Sequence, residues 1–165
     1  MSEFKPLDPT ACGLLLVAAI SLPLAISCFV GDVKYVVPSE LFMLLGFLIA
    51  LVAILAYRAE SNFGFTVFLL VGAAVFATGY GIGVIGSLVF GILFVMCIIW
   101  SIIAKTPKNL TAILCTTAGI FLIVAIQAIT DTDLSIVLGI VATLNFIFNF
   151  YMGTALAFDG KIPVW

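Results

Sequence analysis

Six long apolar segments, separated by short polar connections, constrain the fold of this chain more than any other feature. Each is close to the roughly 20 residues that an α-helix needs to cross a bilayer. Lipid cannot satisfy free backbone groups, and the alternating polarity of membrane β-barrel strands is absent. The sequence therefore predicts an all-α integral membrane protein, a six-transmembrane-helix bundle forming a single domain over residues 1–165. The predicted helices cover residues 11–30, 41–57, 63–80, 84–104, 110–130 and 134–156.

The distribution of charge agrees with this prediction and gives an orientation. Charged residues make up 8% of the chain, against about 25% in soluble domains, and all lie outside the apolar segments. Only Lys34 among the basic residues lies on the far side of the predicted bundle. By the positive-inside rule, we expect a multi-pass protein of the cell membrane, plasma or inner, with both termini cytoplasmic. The cytoplasmic basic residues would be Lys5, Arg58, Lys105, Lys108 and Lys161.

Several kinds of chemistry are disfavoured by the residues that are missing. The chain has no histidine, and no aspartate or glutamate lies within a predicted helix. Because conventional proton relays use such groups, ordinary ion-driven transport is disfavoured. A neutral solute, or an acid crossing with its proton attached, needs none of them. The four cysteines form no C-x-x-C pair and no catalytic constellation is present, so we expect no enzyme activity, cofactor, metal or nucleic-acid partner.

Small residues cluster around the third predicted connection. Residues 81–86 read G-x-G-x-x-G, but a transmembrane helix precedes them where a dinucleotide site would need a strand. The spacings Gly79-xxx-Gly83 and Ser87-xxx-Gly91 are typical of close helix–helix contacts in membranes. We therefore expect a tight hairpin followed by an interface inside the bundle or between subunits. At the preceding connection, Asn62 is predicted to cap the third helix.

Polar side chains within the last two apolar segments admit two interpretations. Asn145 and Asn149 are four residues apart and share one helix face, and Thr117 lies in the preceding segment. Such groups can be hydrogen-bonding contacts between helices. Alternatively, they can line a narrow polar pathway. The sequence alone leaves both interpretations open.

Three blocks of residues resemble a known transporter family. Residues 8–14 read Asp-Pro-Thr-Ala-Cys-Gly-Leu, residues 61–68 read Ser-Asn-Phe-Gly-Phe-Thr-Val-Phe, and a final Tyr-Met-Gly is followed by Gly-Lys-Ile-Pro. The chain thus resembles the succinate–acetate permease family, also called the acetate uptake transporter family, over nearly its whole length. The matching positions are Pro9, Gly13, Tyr57, Asn62, Phe63, Gly64, Thr66 and Phe68.

The resemblance implies a homo-hexameric ring in which each six-helix protomer has its own pore, an architecture related to urea and amide channels. The bulky pore constriction of the family, a Phe, a Tyr and a Leu, falls at Val17, Val71 and Thr117. Since these residues are smaller, either neighbours such as Phe68 and Phe146 refill the space or the pore is wider. Asn145 and Asn149 match no position of the family pattern.

Three functions follow as hypotheses. The first is a membrane permease or channel for acetate-like small monocarboxylates. The second is a channel for urea, short amides or another small uncharged solute, which the lack of charge in the helices fits equally well. The third is a structural or accessory subunit of a membrane complex, in which the polar groups only join helices. The expected partners are the solute, membrane lipid and further copies of the chain.

Overall fold

The computed structural model describes residues 9–31, 36–158 and 161–164, and this part of the chain is all-helical. The prediction of six membrane-length helices is confirmed, with every boundary within two residues of the expected one. Lys5, Asp8, Lys34 and Gly160, which entered the charge and motif arguments, lie outside the described residues. The helices are α1 (Thr10–Val30), α2 (Ser39–Arg58), α3 (Asn62–Gly79), α4 (Gly83–Ile103), α5 (Lys108–Thr130) and α6 (Ser135–Ala157).

The outer surface of the bundle is apolar, as a lipid environment requires. The helices contain 18 to 23 residues each, enough to cross a membrane. Large aliphatic side chains point outwards, among them Ile85 (80% exposed) and Ile103 (74% exposed) on α4. A soluble protein rarely exposes so much contiguous apolar surface. The chain is therefore a multi-pass membrane protein.

The helices form a closed antiparallel ring in chain order. Each helix packs on the next, α6 packs back on α1, and the most extensive pairs are α1–α6, α2–α3 and α4–α5. We call the end that carries Pro9 and the connections at residues 59–61 and 104–107 the terminal end. The opposite end carries Gly31 and the connections at residues 80–82 and 131–134.

The connections depend on specific backbone and capping residues. Gly81 and Gly83 have φ values of 76° and 68°, a region that L side chains enter at a cost, so the expected hairpin is confirmed. The cap predicted at Asn62 is wrong: the backbone N–H of Gly64 donates to the Ser61 hydroxyl at 3.2 Å, and Asn62 is the first helical residue. Serine and asparagine both cap well, so the local backbone decides between them.

Small residues let helix backbones approach closely inside the bundle. A Cβ atom on Gly72 of α3 would lie 2.7 Å from the Ala50 nitrogen and 2.8 Å from the Gly46 oxygen, both on α2. Gly79 lies against α2 in the same way, and Gly91 of α4 lies against Leu122 of α5. These glycines are thus used for contacts within one protomer. A Cβ atom on Gly83 would have no neighbour within 4 Å, so this glycine serves the turn and not a helix contact.

Candidate functional site

A buried hydrogen-bond network joins α1, α5 and α6 near the middle of these helices. Asn145 of α6, 1% exposed, lies at its centre. Its Oδ1 accepts the Ser21 hydroxyl at 2.7 Å, and its Nδ2 donates to the hydroxyls of Thr116 at 2.8 Å and Thr117 at 2.9 Å. The network therefore satisfies both ends of the Asn145 amide. It also fixes the positions of α1 and α5 relative to α6.

Asn149 extends this network by one helical turn towards the terminal end. Its Nδ2 donates to the backbone oxygen of Asn145 at 2.8 Å and to Asn145 Oδ1 at 3.0 Å. The side chain is fully buried, yet its Oδ1 has no hydrogen-bond partner among the described residues. The shared face predicted for the two asparagines is consistent with these direct contacts.

A cavity of about 110 Å³ lies towards the opposite end of the bundle. One water molecule needs roughly 10–15 Å³ of such volume, so the cavity has room for several waters or a small solute. Its walls are mostly apolar and come from all six helices and the α3–α4 connection. Polar groups line it at five positions: Ser21, Thr78, Ser87, Thr117 and Asn145.

A second cavity, of about 120 Å³, lies towards the terminal end. Its walls come mainly from α1, α3 and α5, from Leu14, Phe68 and Leu114 among others. Asn149 lines it from α6, and Ser61 lines it from the α2–α3 connection. We call it the terminal-end cavity and its counterpart the opposite-end cavity.

Three residues line both cavities: Val17 of α1, Val71 of α3 and Thr117 of α5. They are 6%, 5% and 6% exposed, so packed side chains separate the two spaces at this level. The Thr117 hydroxyl donates to the Ile113 backbone oxygen at 2.8 Å, so its hydrogen is not available to a solute. These are the three positions at which the resemblance puts the narrowest point of a pore.

The positions that carry the resemblance fall into two groups. Phe63, Gly64 and Phe68 line the terminal-end cavity, and a Cβ atom on Gly13 would clash with the Phe68 ring. The remaining positions have local roles away from the cavities. Pro9 precedes α1, Tyr57 packs on Phe65, and Asn62 accepts the Thr66 hydroxyl through its backbone oxygen.

Sequence reasoning missed part of the site and misplaced one residue. Ser21 was not singled out, although its position four residues after Val17 puts both on one face of α1. Two phenylalanines were expected to refill the space around the three shared residues. Phe68, one of them, lines the terminal-end cavity together with these residues. Phe146, the other, lines neither cavity and stacks on the exposed Phe150 with ring centroids 5.6 Å apart. That expectation for Phe146 is wrong.

The electrostatic character of the site is neutral. None of the described residues that line the two cavities is charged, and the described residues form no His, Cys, Asp or Glu cluster that could hold a metal ion. Charges lie at the two ends instead. At the opposite end, Asp133 accepts hydrogen bonds from Ser135, and these lower the pKa of its carboxyl group.

Comparison with known proteins gives no relative for this arrangement: no protein-family model, curated protein or solved structure matches the chain.

Proposed function

We propose that this protein is a membrane channel or permease in which a small uncharged solute crosses through a pathway inside each protomer. The pathway would run through the terminal-end cavity, past Val17, Val71 and Thr117, and into the opposite-end cavity. The observation that carries the proposal is that these three residues line both cavities. A short movement of packed side chains at this one level would connect two spaces that together extend towards both ends of the bundle.

The chemistry of the walls supports an uncharged solute. A charge inside the membrane requires a partner, and neither cavity has a charged group among its described lining residues. An acetate-like monocarboxylic acid crossing with its proton attached meets this condition and is the leading substrate class. The exposed Arg58, Lys105 and Lys108 at the terminal end would raise the local concentration of the anion before it is protonated.

Urea and short amides are the second candidate substrates. The hydroxyl and amide groups of Ser21, Thr117 and Asn145 give the opposite-end cavity a few polar positions in otherwise apolar walls. Sites for small polar molecules commonly combine an apolar lining with a few placed polar groups. Urea has no charged form to exclude at neutral pH, so it would pass without a protonation step.

The proposal includes an orientation and an assembly. The described basic residues Arg58, Lys105, Lys108 and Lys161 all lie at the terminal end or just beyond it, which supports cytoplasmic termini in the cell membrane. The homo-hexameric ring rests on the resemblance to the succinate–acetate permease family. Gly79 and Gly91 pack within the protomer, so they do not add to the case for the ring.

Flux through purified protein in liposomes tests the proposal. Uptake of labelled acetate and urea-driven changes in vesicle volume should both be compared with empty vesicles, because undissociated acetic acid also crosses lipid unaided. Protein-dependent flux of either solute supports the proposal and identifies the substrate class. Flux equal to that of empty vesicles for both would favour the third hypothesis, an accessory subunit in which the polar network only joins helices.

A further inference from the structure

Asn149, which lines the terminal-end cavity, has a side-chain oxygen that is an unused hydrogen-bond acceptor. The residue is 0% exposed and its Oδ1 has no partner among the described residues. Its Nδ2 donates to two oxygens of Asn145, the backbone oxygen at 2.8 Å and Oδ1 at 3.0 Å. Buried polar groups are nearly always hydrogen-bonded, so a single unpaired one calls for an explanation.

The orientation of the Asn149 amide follows from chemistry. Rotating it by half a turn would place Oδ1 against two oxygens of Asn145 that have no hydrogen to offer it. The backbone oxygen of Asn145 can only accept, so at 2.8 Å it requires the Nδ2 of Asn149, and not the Oδ1, to face it. With Nδ2 of Asn149 donating to Asn145, the Asn149 oxygen points away from that residue and has no partner among the described residues.

The position of this oxygen separates it from the other unpaired amide oxygen of the bundle. Asn109 Oδ1 is also buried without a partner, but Asn109 lines neither of the two cavities and its Nδ2 faces the Phe148 backbone oxygen at 3.4 Å. Asn149 lines the terminal-end cavity together with Val17, Val71 and Thr117. A solute approaching the level of these three residues would pass the Asn149 side chain.

We propose that Asn149 Oδ1 is a specificity-determining group that accepts a hydrogen bond from an N–H or O–H of the crossing solute. The inference rests on the proposed function and narrows its substrate class to uncharged hydrogen-bond donors, such as urea, primary amides and undissociated acids. A carboxylate anion has acceptor oxygens alone and would bring its charge against the amide oxygen. An acid therefore passes this point with its proton on the carboxyl group, and that O–H donates to Asn149.

Competition between isomeric solutes tests this inference independently of molecular size. Propionamide, N-methylacetamide and N,N-dimethylformamide share one composition but carry two, one and no N–H hydrogens. Each is added at equal concentration to both sides of proteoliposomes, so its own leak through lipid does not matter. The readout is inhibition of protein-dependent urea flux, or of labelled acetate flux if acetate is the solute that the protein carries.

The three solutes should inhibit flux through the wild-type protein in the order of their N–H hydrogens, propionamide most and N,N-dimethylformamide least. One net hydrogen bond changes an equilibrium by about 2- to 10-fold, so propionamide should be more potent than N,N-dimethylformamide by about that factor. The Asn149→Leu variant removes the acceptor at similar volume and should lose the order. Asn149→Gln keeps an amide oxygen and should restore at least part of it.

Thr116→Val is the matched control. Thr116 accepts a hydrogen bond from Asn145 but lines neither cavity, so this variant disturbs the network and leaves the Asn149 oxygen in place. It should keep the wild-type order of inhibition. If Thr116→Val lost the order as Asn149→Leu does, the preference would come from the network's structure and the inference would be overturned.

The outcomes separate failure of this inference from failure of the proposed function. No flux above empty vesicles for urea and acetate contradicts the proposed function itself. Flux that N,N-dimethylformamide inhibits as well as propionamide does, flux that none of the three inhibits, or a donor order that survives in Asn149→Leu overturns the role of Asn149 alone. If Asn149→Leu does not fold, absence of the order in the wild type still overturns the inference, and Asn149→Asp, which keeps the volume but replaces the amide, takes its place as the variant.

Discussion

Asn145 contributes more hydrogen bonds between helices than any other side chain described in the core of the bundle. It contacts Ser21 on α1 and Thr116 and Thr117 on α5. The sequence predicted that Asn145 needs hydrogen-bond partners or water, because an unsatisfied amide is costly within a membrane. Their identity depends on how α1, α5 and α6 are placed in space, so the sequence could put Ser21 on the same face as Val17 but could not identify it as the partner of Asn145. The alternatives of helix contact and pathway lining are compatible, because Asn145 hydrogen-bonds to two helices and also lines a cavity.

Replacement of Asn145 by Leu should destabilise the bundle by about 2 kcal/mol, taking about 0.6 kcal/mol for each of three lost contacts. The midpoint of thermal unfolding in a mild detergent gives the comparison. Thr143→Val is the control, since the Thr143 hydroxyl donates to the Gly139 oxygen of its own helix and its loss should change stability little. Equal stability of wild type and Asn145→Leu would mean that the network does not hold the helices together.

At the scale of helices, most of the fold was predictable from hydropathy. The exclusion of charge from the membrane and the length needed to cross it are strong, local constraints, which is why all six helices were placed within two residues. The pairing of helices was harder to predict. Gly79 was recognised as an interface residue, but Gly46 and Gly72 were not, although Gly72 and Gly79 are seven apart and share one face of α3.

Gly72→Ala should therefore disrupt the α2–α3 pair. The added Cβ would meet backbone atoms of Ala50 and Gly46 at 2.7 and 2.8 Å, and backbone cannot move aside as a flexible side chain can. Overpacking of this kind costs roughly 1–3 kcal/mol, which should appear as a lower unfolding midpoint.

Gly119→Ala provides the matched control for this substitution. Its new Cβ would meet one side-chain atom, Val141 Cγ1 at 3.2 Å, which can adjust, so stability should change little. If Gly72→Ala unfolded at the same temperature as Gly119→Ala, close backbone contact between α2 and α3 would not be a determinant of the fold.

At the scale of the whole molecule, the uneven distribution of charge between the two ends of the bundle predicts which end faces the cytoplasm. The described basic residues lie at the terminal end, whereas Glu40, Asp131 and Asp133 lie at the opposite end. We predict that protease added to intact cells leaves tags at both termini uncut, because both face the cytoplasm. A tag in the α3–α4 connection should be accessible to the same protease. Cleavage of a terminal tag from outside would reverse the proposed topology.

The assembly state depends on the family resemblance, since the described small-residue contacts lie within the protomer. We predict a homo-hexamer, as the resemblance implies; the apolar outer surface, on which Ile85 and Ile103 are highly exposed, can be covered by lipid or by further copies alike. Native mass spectrometry in mild detergent measures the number of copies. A monomer in several detergents and in lipid nanodiscs would contradict the ring.

Val17, Val71 and Thr117 were singled out from the sequence and also share a distinctive place in the structure. Alignment with the resembling family selected them as a constriction, and in the structure they line both cavities. Their role in transport remains a prediction. It was open to sequence reasoning because ungapped local alignment to the family pattern selects these positions. Asn149 has no counterpart in that pattern; the sequence left helix contact and pathway lining open for it, and in the structure it lines the terminal-end cavity.

The most direct measurement of the central claim is the flux of formate, acetate and butyrate through proteoliposomes containing wild type, Val17→Phe/Val71→Tyr or Thr117→Leu at equal protein content. If the two cavities are joined past these residues, the double substitution fills the narrowest point and should slow flux, most strongly for butyrate. Thr117→Leu removes the one hydrogen-bonding side-chain oxygen among the three shared residues, an acceptor for the O–H of an undissociated acid, and should slow all three acids. Flux rates and a size profile unchanged from wild type in both variants would show that solute does not pass this point, and the proposed pathway would be wrong.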